Sequence, residues 1–194
     1  MNEKNKKLYS MVITAVLLAI GMILPFLTGQ LQTFGKLISP LHIPVLICGL
    51  CCGWQWGLGL GIVLPILRGL TLGMPPFPVV ALPMAFELGA YGLLTGLLYP
   101  VMIKFFKKKN HLPPIVCSLL IAMICGRIIG GAAKALFIAI GVIGSSSPYT
   151  LGVFFTSYFV DTAVGALIHL IIIPVIVIAI ERARLSPLTA QFGK

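Results

Sequence analysis

Five ionisable side chains, Arg68, Glu87, Arg127, Lys134 and Asp161, sit inside stretches that are otherwise apolar enough to cross a bilayer. A charge at the centre of a bilayer costs roughly 2.5–3.5 kcal/mol or more, so such groups are tolerated where they face the inside of a helix bundle and interact. Three of them are cations and two are anions, which leaves one positive charge over. Two readings follow, and one does not exclude the other. The charges can form ion pairs that lock the helices together, or they can line a polar pocket whose surplus cation holds a small monoanion, because a desolvated charge seeks a partner. Arg127 is the better bidentate clamp for a carboxylate, with Lys134 as a second point charge.

The elements that must position these groups are membrane helices. Of the 194 residues, 59% are hydrophobic and only 9% charged, with a mean hydropathy of +1.09; soluble domains carry about 25% charged residues. At about 20 apolar residues per crossing, the chain is predicted to be an all-α membrane protein. It forms one domain, residues 1–194, a bundle of six transmembrane helices. The expected spans are 8–28, 41–52, 57–73, 79–103, 113–143 and 149–180. The first apolar run is long and has no clear small-residue cleavage site, so it reads as a span rather than a removed signal peptide.

Residues 41–73 decide the count. As one helix this segment would be about 50 Å long, too long for a core of about 30 Å. "CCGWQWG" breaks it, with Gly53 and Gly57 bracketing two tryptophans, a residue that favours the interface. The basic residues make the same demand. Lys4, Lys6 and Lys7 precede the first span, Lys104, Lys107, Lys108 and Lys109 fill one loop, and Arg182, Arg184 and Lys194 follow the last span. Two crossings in 41–73 put all three groups on one side, the cytoplasmic side for both termini. The formal net charge of +10 therefore reports topology rather than a nucleic-acid partner.

This topology gathers the five charges in the outer half of the bundle. Arg68 lies about 8 Å, Glu87 about 12 Å and Asp161 about 18 Å from the outer ends of their spans. Arg127 and Lys134 stand two turns apart on one face of span 5. The same end offers His42, which opens the short second span, together with Met84, Tyr91, Ser157 and Tyr158. Short interrupted segments often border transporter sites. His42 reads equally well as a capping residue, and the methionine and tyrosines as packing. His169 lies deeper and is expected to bond between helices. The connector before His42 carries Lys36 and Phe34. Gly126-xxx-Gly130, extended by Ala122, forms a small-residue stripe that lets helices approach closely. Ala15-xxx-Ala19 is a second such stripe, on a span that brings no polar group to the pocket. Its small face is available to another membrane protein.

Other chemistries lack their residues. Cys48, Cys51, Cys52, Cys117 and Cys125 lie in or beside apolar spans and read as small apolar residues; no metal and no cofactor is expected. Neither HExxH nor GxSxG occurs, so an intramembrane hydrolase lacks its nucleophile or metal ligands. A channel would want a repeated polar stripe. No Walker A motif is present, so ATP hydrolysis is expected elsewhere, and the chain is not expected to be an enzyme.

Six spans, a basic central loop and "AVLLA" in the first helix together resemble the substrate-binding S-components of energy-coupling factor (ECF) vitamin transporters. "LHIPVLICGLCCGWQWGLGLGIVLPILRGLTLGMPPFP" followed by "MAFELGAYGLLTGLLY" is most similar to the pantothenate-specific type. The resemblance covers nearly the whole chain and implies a multi-pass protein of the bacterial plasma membrane. Such a protein binds a vitamin at its outer face and depends on a coupling transmembrane protein and two ATPase subunits. It also implies a pocket among helices 4 to 6 and the outer loops, and a contact between the alanine motif, here Ala15 and Ala19, and the coupling protein. Pantothenate is a monoanion with a carboxylate, hydroxyls and an amide, as the pocket's surplus cation requires; another vitamin or precursor is the alternative.

Overall fold

A computed structural model describes residues 3–27, 39–106, 111–144, 148–183 and 185–188. Lys36, Phe34, Lys107, Lys108, Lys109, Arg184 and Lys194 lie outside the described residues. The elements are α1 (Glu3–Leu27), α2 (His42–Cys52), α3 (Trp54–Leu72), α4 (Ala81–Phe106), α5 (Leu112–Ala139) and α6 (Leu151–Arg182). Among the described residues there is no strand.

Five of the six helices, all but α2, are long and apolar enough to cross a membrane. The exception is the segment expected to be short, residues 41–52. The 11 residues of α2 rise about 16 Å, roughly half of a hydrocarbon core. The break itself falls where "CCGWQWG" placed it, at Gly53. That residue holds φ 97°, a backbone conformation that only glycine adopts at little cost, and its amide donates to the Gly49 carbonyl at 3.1 Å. The chain reverses there. His42 and Arg68 both border one cavity, while Cys52 and Trp56 both border a crevice at the opposite end.

Glycine sets how closely α3 and α4 pack. A Cβ on Gly57 or Gly92 would collide with the facing backbone, and so would one on Gly61 or Gly96. Gly57 and Gly61 on α3, and Gly92 and Gly96 on α4, are each spaced i, i+4, so each helix presents one small face, and the two faces bring the helix backbones into contact. In the bilayer no hydrophobic drive favours helix association, and this close approach replaces it with dispersion contacts. Around this seam Val45, Leu46, Leu50, Leu64, Leu88, Leu119 and Ile173 form the buried core.

Helix α6 is not regular. After one α-turn (Leu151–Phe155) it widens into a π-helical segment, Thr156–Val160, before resuming as α-helix from Ala163 to Arg182. At its far end α6 meets α4 and α5 through Glu181. Its carboxylate accepts from the Tyr99 hydroxyl at 2.5 Å and sits 2.7 Å from His111 Nδ1. The chain then folds back. The Leu188 amide and the Ser186 hydroxyl both donate to the Cys51 carbonyl, at 3.0 and 3.2 Å. Lys6, Lys7, Lys104 and Arg182 share this end of the bundle, called here the basic end.

Candidate functional site

The opposite end holds a cavity of about 580 Å³, within the roughly 300–1,000 Å³ usual for small-molecule sites. Of the sequence-predicted residues, His42, Arg68, Met84, Glu87, Lys134, Ser157, Tyr158 and Asp161 line it. Arg127 and Tyr91 do not.

Glu87 is the centre of the polar network. It projects from α4 against α5, where Gly130 leaves it room; a Cβ on Gly130 would lie 2.7 Å from Glu87 Cβ. Gly126, one turn away, similarly admits the Tyr91 ring. The Tyr91 hydroxyl donates to Glu87 Oε1 at 2.7 Å, which fixes one carboxylate oxygen. His42 Nδ1 lies 3.1 Å from the Ser39 carbonyl. A carbonyl only accepts, so Nδ1 carries the proton and Nε2 faces Glu87 Oε1 at 3.6 Å. Behind His42 the buried His169 ring stacks on it, with centroids 5.6 Å apart, and Tyr91 lies 5.2 Å away on another side.

The three cations are placed differently. Arg68 is 2% exposed, donates to the Met22 carbonyl of α1 and stands 4.9 Å from the Phe26 ring. Arg127 donates to the Thr162 carbonyl at 3.1 Å and lies 5.8 Å from the Phe159 ring, outside the cavity lining. Lys134 borders the cavity with its ammonium 5.4 Å from the Tyr149 ring. Among the described residues no lysine or arginine forms an ion pair with Glu87 or Asp161. Carbonyls of α1 and α6 meet the two arginines, and an aromatic face lies near each of the three cations.

That arrangement changes the charge balance. With Arg127 outside the lining, Arg68 and Lys134 stand against Glu87 and Asp161, and His42 adds a titratable group. The cavity carries two groups of each sign rather than a surplus cation. The π segment of α6 brings Ser157, Tyr158, Asp161 and Thr162 together on the cavity wall; an extra residue in the turn re-aims side chains, and such bulges occur often at functional sites.

Ser39 apart, the remaining wall is apolar and rich in proline, with Pro25, Pro40, Met74, Pro75, Pro76 and Pro83 among its residues. Met74, Pro75 and Pro76 belong to "GMPPFP", the connector between α3 and α4, whose prolines fix φ and narrow the shapes it can take. Away from the cavity, Ala15 and Ala19 are exposed on α1, flanked by exposed Met11, Val12, Val16 and Ile20. Cys48, Cys51 and Cys52 are buried, with the Cys48 sulfur 3.4 Å from the Thr14 hydroxyl.

Residues 9–180 match the family model described as ECF transporter, substrate-specific component. No curated protein and no solved structure matches the chain.

Proposed function

The chain belongs to the substrate-specific components of ECF transporters, and from that premise we propose that the 580 Å³ cavity is its substrate site and that the substrate is pantothenate. Members of the family are substrate-binding transport subunits rather than enzymes, working with an ECF transmembrane component and ATPase components. The protein is a multi-pass membrane protein. In this reading it lies in the bacterial plasma membrane as one six-helix domain. The basic end and both termini are cytoplasmic, as the placement of positive charge favours, and the cavity opens outward.

One observation supports the substrate most. A cavity of ligand size holds Lys134 on one wall and Glu87 and Asp161 on others, with an apolar proline-rich rim. Lys134 is the partner for a carboxylate. Glu87 and Asp161 accept hydrogen bonds from hydroxyls or an amide, and Met84, Tyr158 and the rim pack against the carbon skeleton. Arg127 acts behind the wall, orienting Thr162 rather than clamping the ligand, and Tyr91 does the same for Glu87. Ala15 and Ala19 contact the coupling protein through close helix approach.

Titration of the purified chain in detergent tests this without ATP or partners. Saturable heat with pantothenate is the expected result. The balanced lining supports a second substrate class, a vitamin or precursor of no net charge. Saturable binding of such a compound, with no heat from pantothenate, overturns the first reading. Mass spectrometry of a small molecule released from the purified protein identifies which applies.

A further inference from the structure

The basic end carries a second recess that plays no part in the proposed uptake site. It is a crevice of about 130 Å³ bordered by Lys6, Lys7 and Ser10 of α1, Cys52 and Trp56 across the α2–α3 turn, and Pro187 of the returning chain. It is less than a quarter of the volume of the cavity at the other end, a size that suits a small group such as a tetrahedral oxyanion. Among the described residues no carboxylate borders it. Ser10 is 4% exposed, so a buried residue bearing a hydroxyl shares the lining with two lysines.

Three features make the occupant a lipid rather than a soluble anion. Lys6 and Lys7 immediately precede the apolar run of α1, which begins at Leu8, the position at which basic residues flank a span and meet lipid headgroups. Trp56 borders it, and tryptophan is enriched at that level. An apolar track also leads out of it along α3. Trp56, Gly59 and Val63 are spaced i, i+3, i+7 and share one helix face. Gly59 has nothing within 4 Å of where a Cβ would stand, and Val63 is 48% exposed. A headgroup in the crevice would lay its acyl chain along this strip.

We infer that the crevice at the basic end binds the phosphate of an anionic phospholipid, through Lys6, Lys7 and Ser10, with one acyl chain against Trp56, Gly59 and Val63. The site anchors the start of α1 to its own leaflet. In the cytoplasmic orientation that leaflet is the negatively charged one, where basic residues gain most.

The test uses the full chain with Trp54→Phe, which leaves Trp56 as the one tryptophan, since the sequence holds two. It is reconstituted in phosphatidylcholine vesicles with a minor share of phosphatidylglycerol brominated on its acyl chains. Matched vesicles carry the bromine on phosphatidylcholine at the same mole fraction. Trp56 fluorescence is expected to be quenched several-fold more by the brominated phosphatidylglycerol. Lys6→Gln with Lys7→Gln is expected to abolish that preference, bringing the quenching by the two lipids to near equality. Lys4→Gln with Lys104→Gln removes the same charge from exposed positions outside the crevice and should leave the preference nearly intact. Equal quenching by the two lipids overturns the inference, as does equal loss in both double variants, which would mean diffuse surface charge. Loss of the preference on adding inorganic phosphate at constant ionic strength assigns the crevice to a free anion and overturns it too. Unchanged thermal unfolding of Lys6→Gln/Lys7→Gln shows that a lost preference is not lost fold.

Discussion

Helices α1 and α4 are both long, apolar and adjacent to the same core, yet their surroundings differ sharply. In the most apolar window of α1 only 17% of residues are buried, against 56% for α4. Helix α4 is held on two sides, by the glycine faces of α3 and by Gly126 and Gly130 of α5, and it carries Glu87 on a rigid backbone. Helix α1 brings no charged group to the cavity and leaves Ala15 and Ala19 exposed. A ligand site needs side chains fixed by their neighbours, which burial on several sides supplies. A docking face needs surface that the fold has left uncovered. The proposed function divides these roles between the two helices, and four variants probe the division.

The largest effect is expected on α1. Ala15 and Ala19 stand one turn apart on one exposed face, and bulk there prevents close approach of a partner helix. Replacing both with tryptophan should abolish uptake in cells that express the whole transporter. Affinity of the isolated protein should stay unchanged, because the face lies away from the cavity. Normal uptake would mark the face as lipid-facing, and loss of both activities would place α1 inside the binding fold.

Next in size is Lys134→Ala. A charge-assisted hydrogen bond is worth about 1.5–3 kcal/mol, or roughly 10- to 150-fold in affinity. Lys104→Ala, at the basic end, is the matched control and should bind as the unaltered protein does. Equal affinities in the two variants would remove Lys134 from the ligand contacts.

Arg127→Ala should weaken binding by less than Lys134→Ala, while lowering thermal stability. Its guanidinium donates to the part-buried Thr162 carbonyl, and removing it leaves that carbonyl with only its helical bond from the Ala166 amide among the described contacts. Binding by isothermal titration and unfolding by a thermal melt separate the two effects. An affinity loss as large as that of Lys134→Ala, without a stability loss, would return Arg127 to the ligand.

The contrast between Arg127 and Lys134 shows how far the sequence could be read. Their spacing of seven residues correctly put both on one side of α5, since helical periodicity fixes angle. It did not show which neighbours close over each. Arg127 is about 10 Å deeper along α5 than Lys134, where Thr162 and Tyr91 close the space that stays open beside Lys134. Arg68, Glu87 and Asp161 converged as expected because the reversal at "CCGWQWG" sets which ends of the helices meet. The π segment of α6 was not legible, for its residues "TSYFV" read as ordinary apolar helix. Nor was the return of Ser186 and Leu188 to Cys51, a backbone carbonyl contact that leaves no side-chain pattern.

Arg68 is the one charged residue that belongs to both regions. It borders the cavity yet donates to the Met22 carbonyl and stacks on Phe26, both on α1. Arg68→Met keeps most of the apolar stem and removes the guanidinium. If the guanidinium serves chiefly to tie α1 to the bundle, the variant should lose about 1.5–3 kcal/mol of stability, the value of a charged hydrogen bond. Its ligand affinity should fall less than about tenfold, because long-range attraction to an anion is weaker than direct contact. The measurement pairs a thermal melt with a ligand titration on the same sample. Saturating ligand adds a second readout, since a ligand stabilises the native state in proportion to its occupancy. A variant whose melt rises with ligand as much as the unaltered protein's, from a lower starting point, keeps Arg68 as the tie between the two helices. A variant that melts normally but gains nothing from ligand makes Arg68 a substrate contact. In that case α1, through the residue it positions, shares the binding role assigned above to α4 and α5.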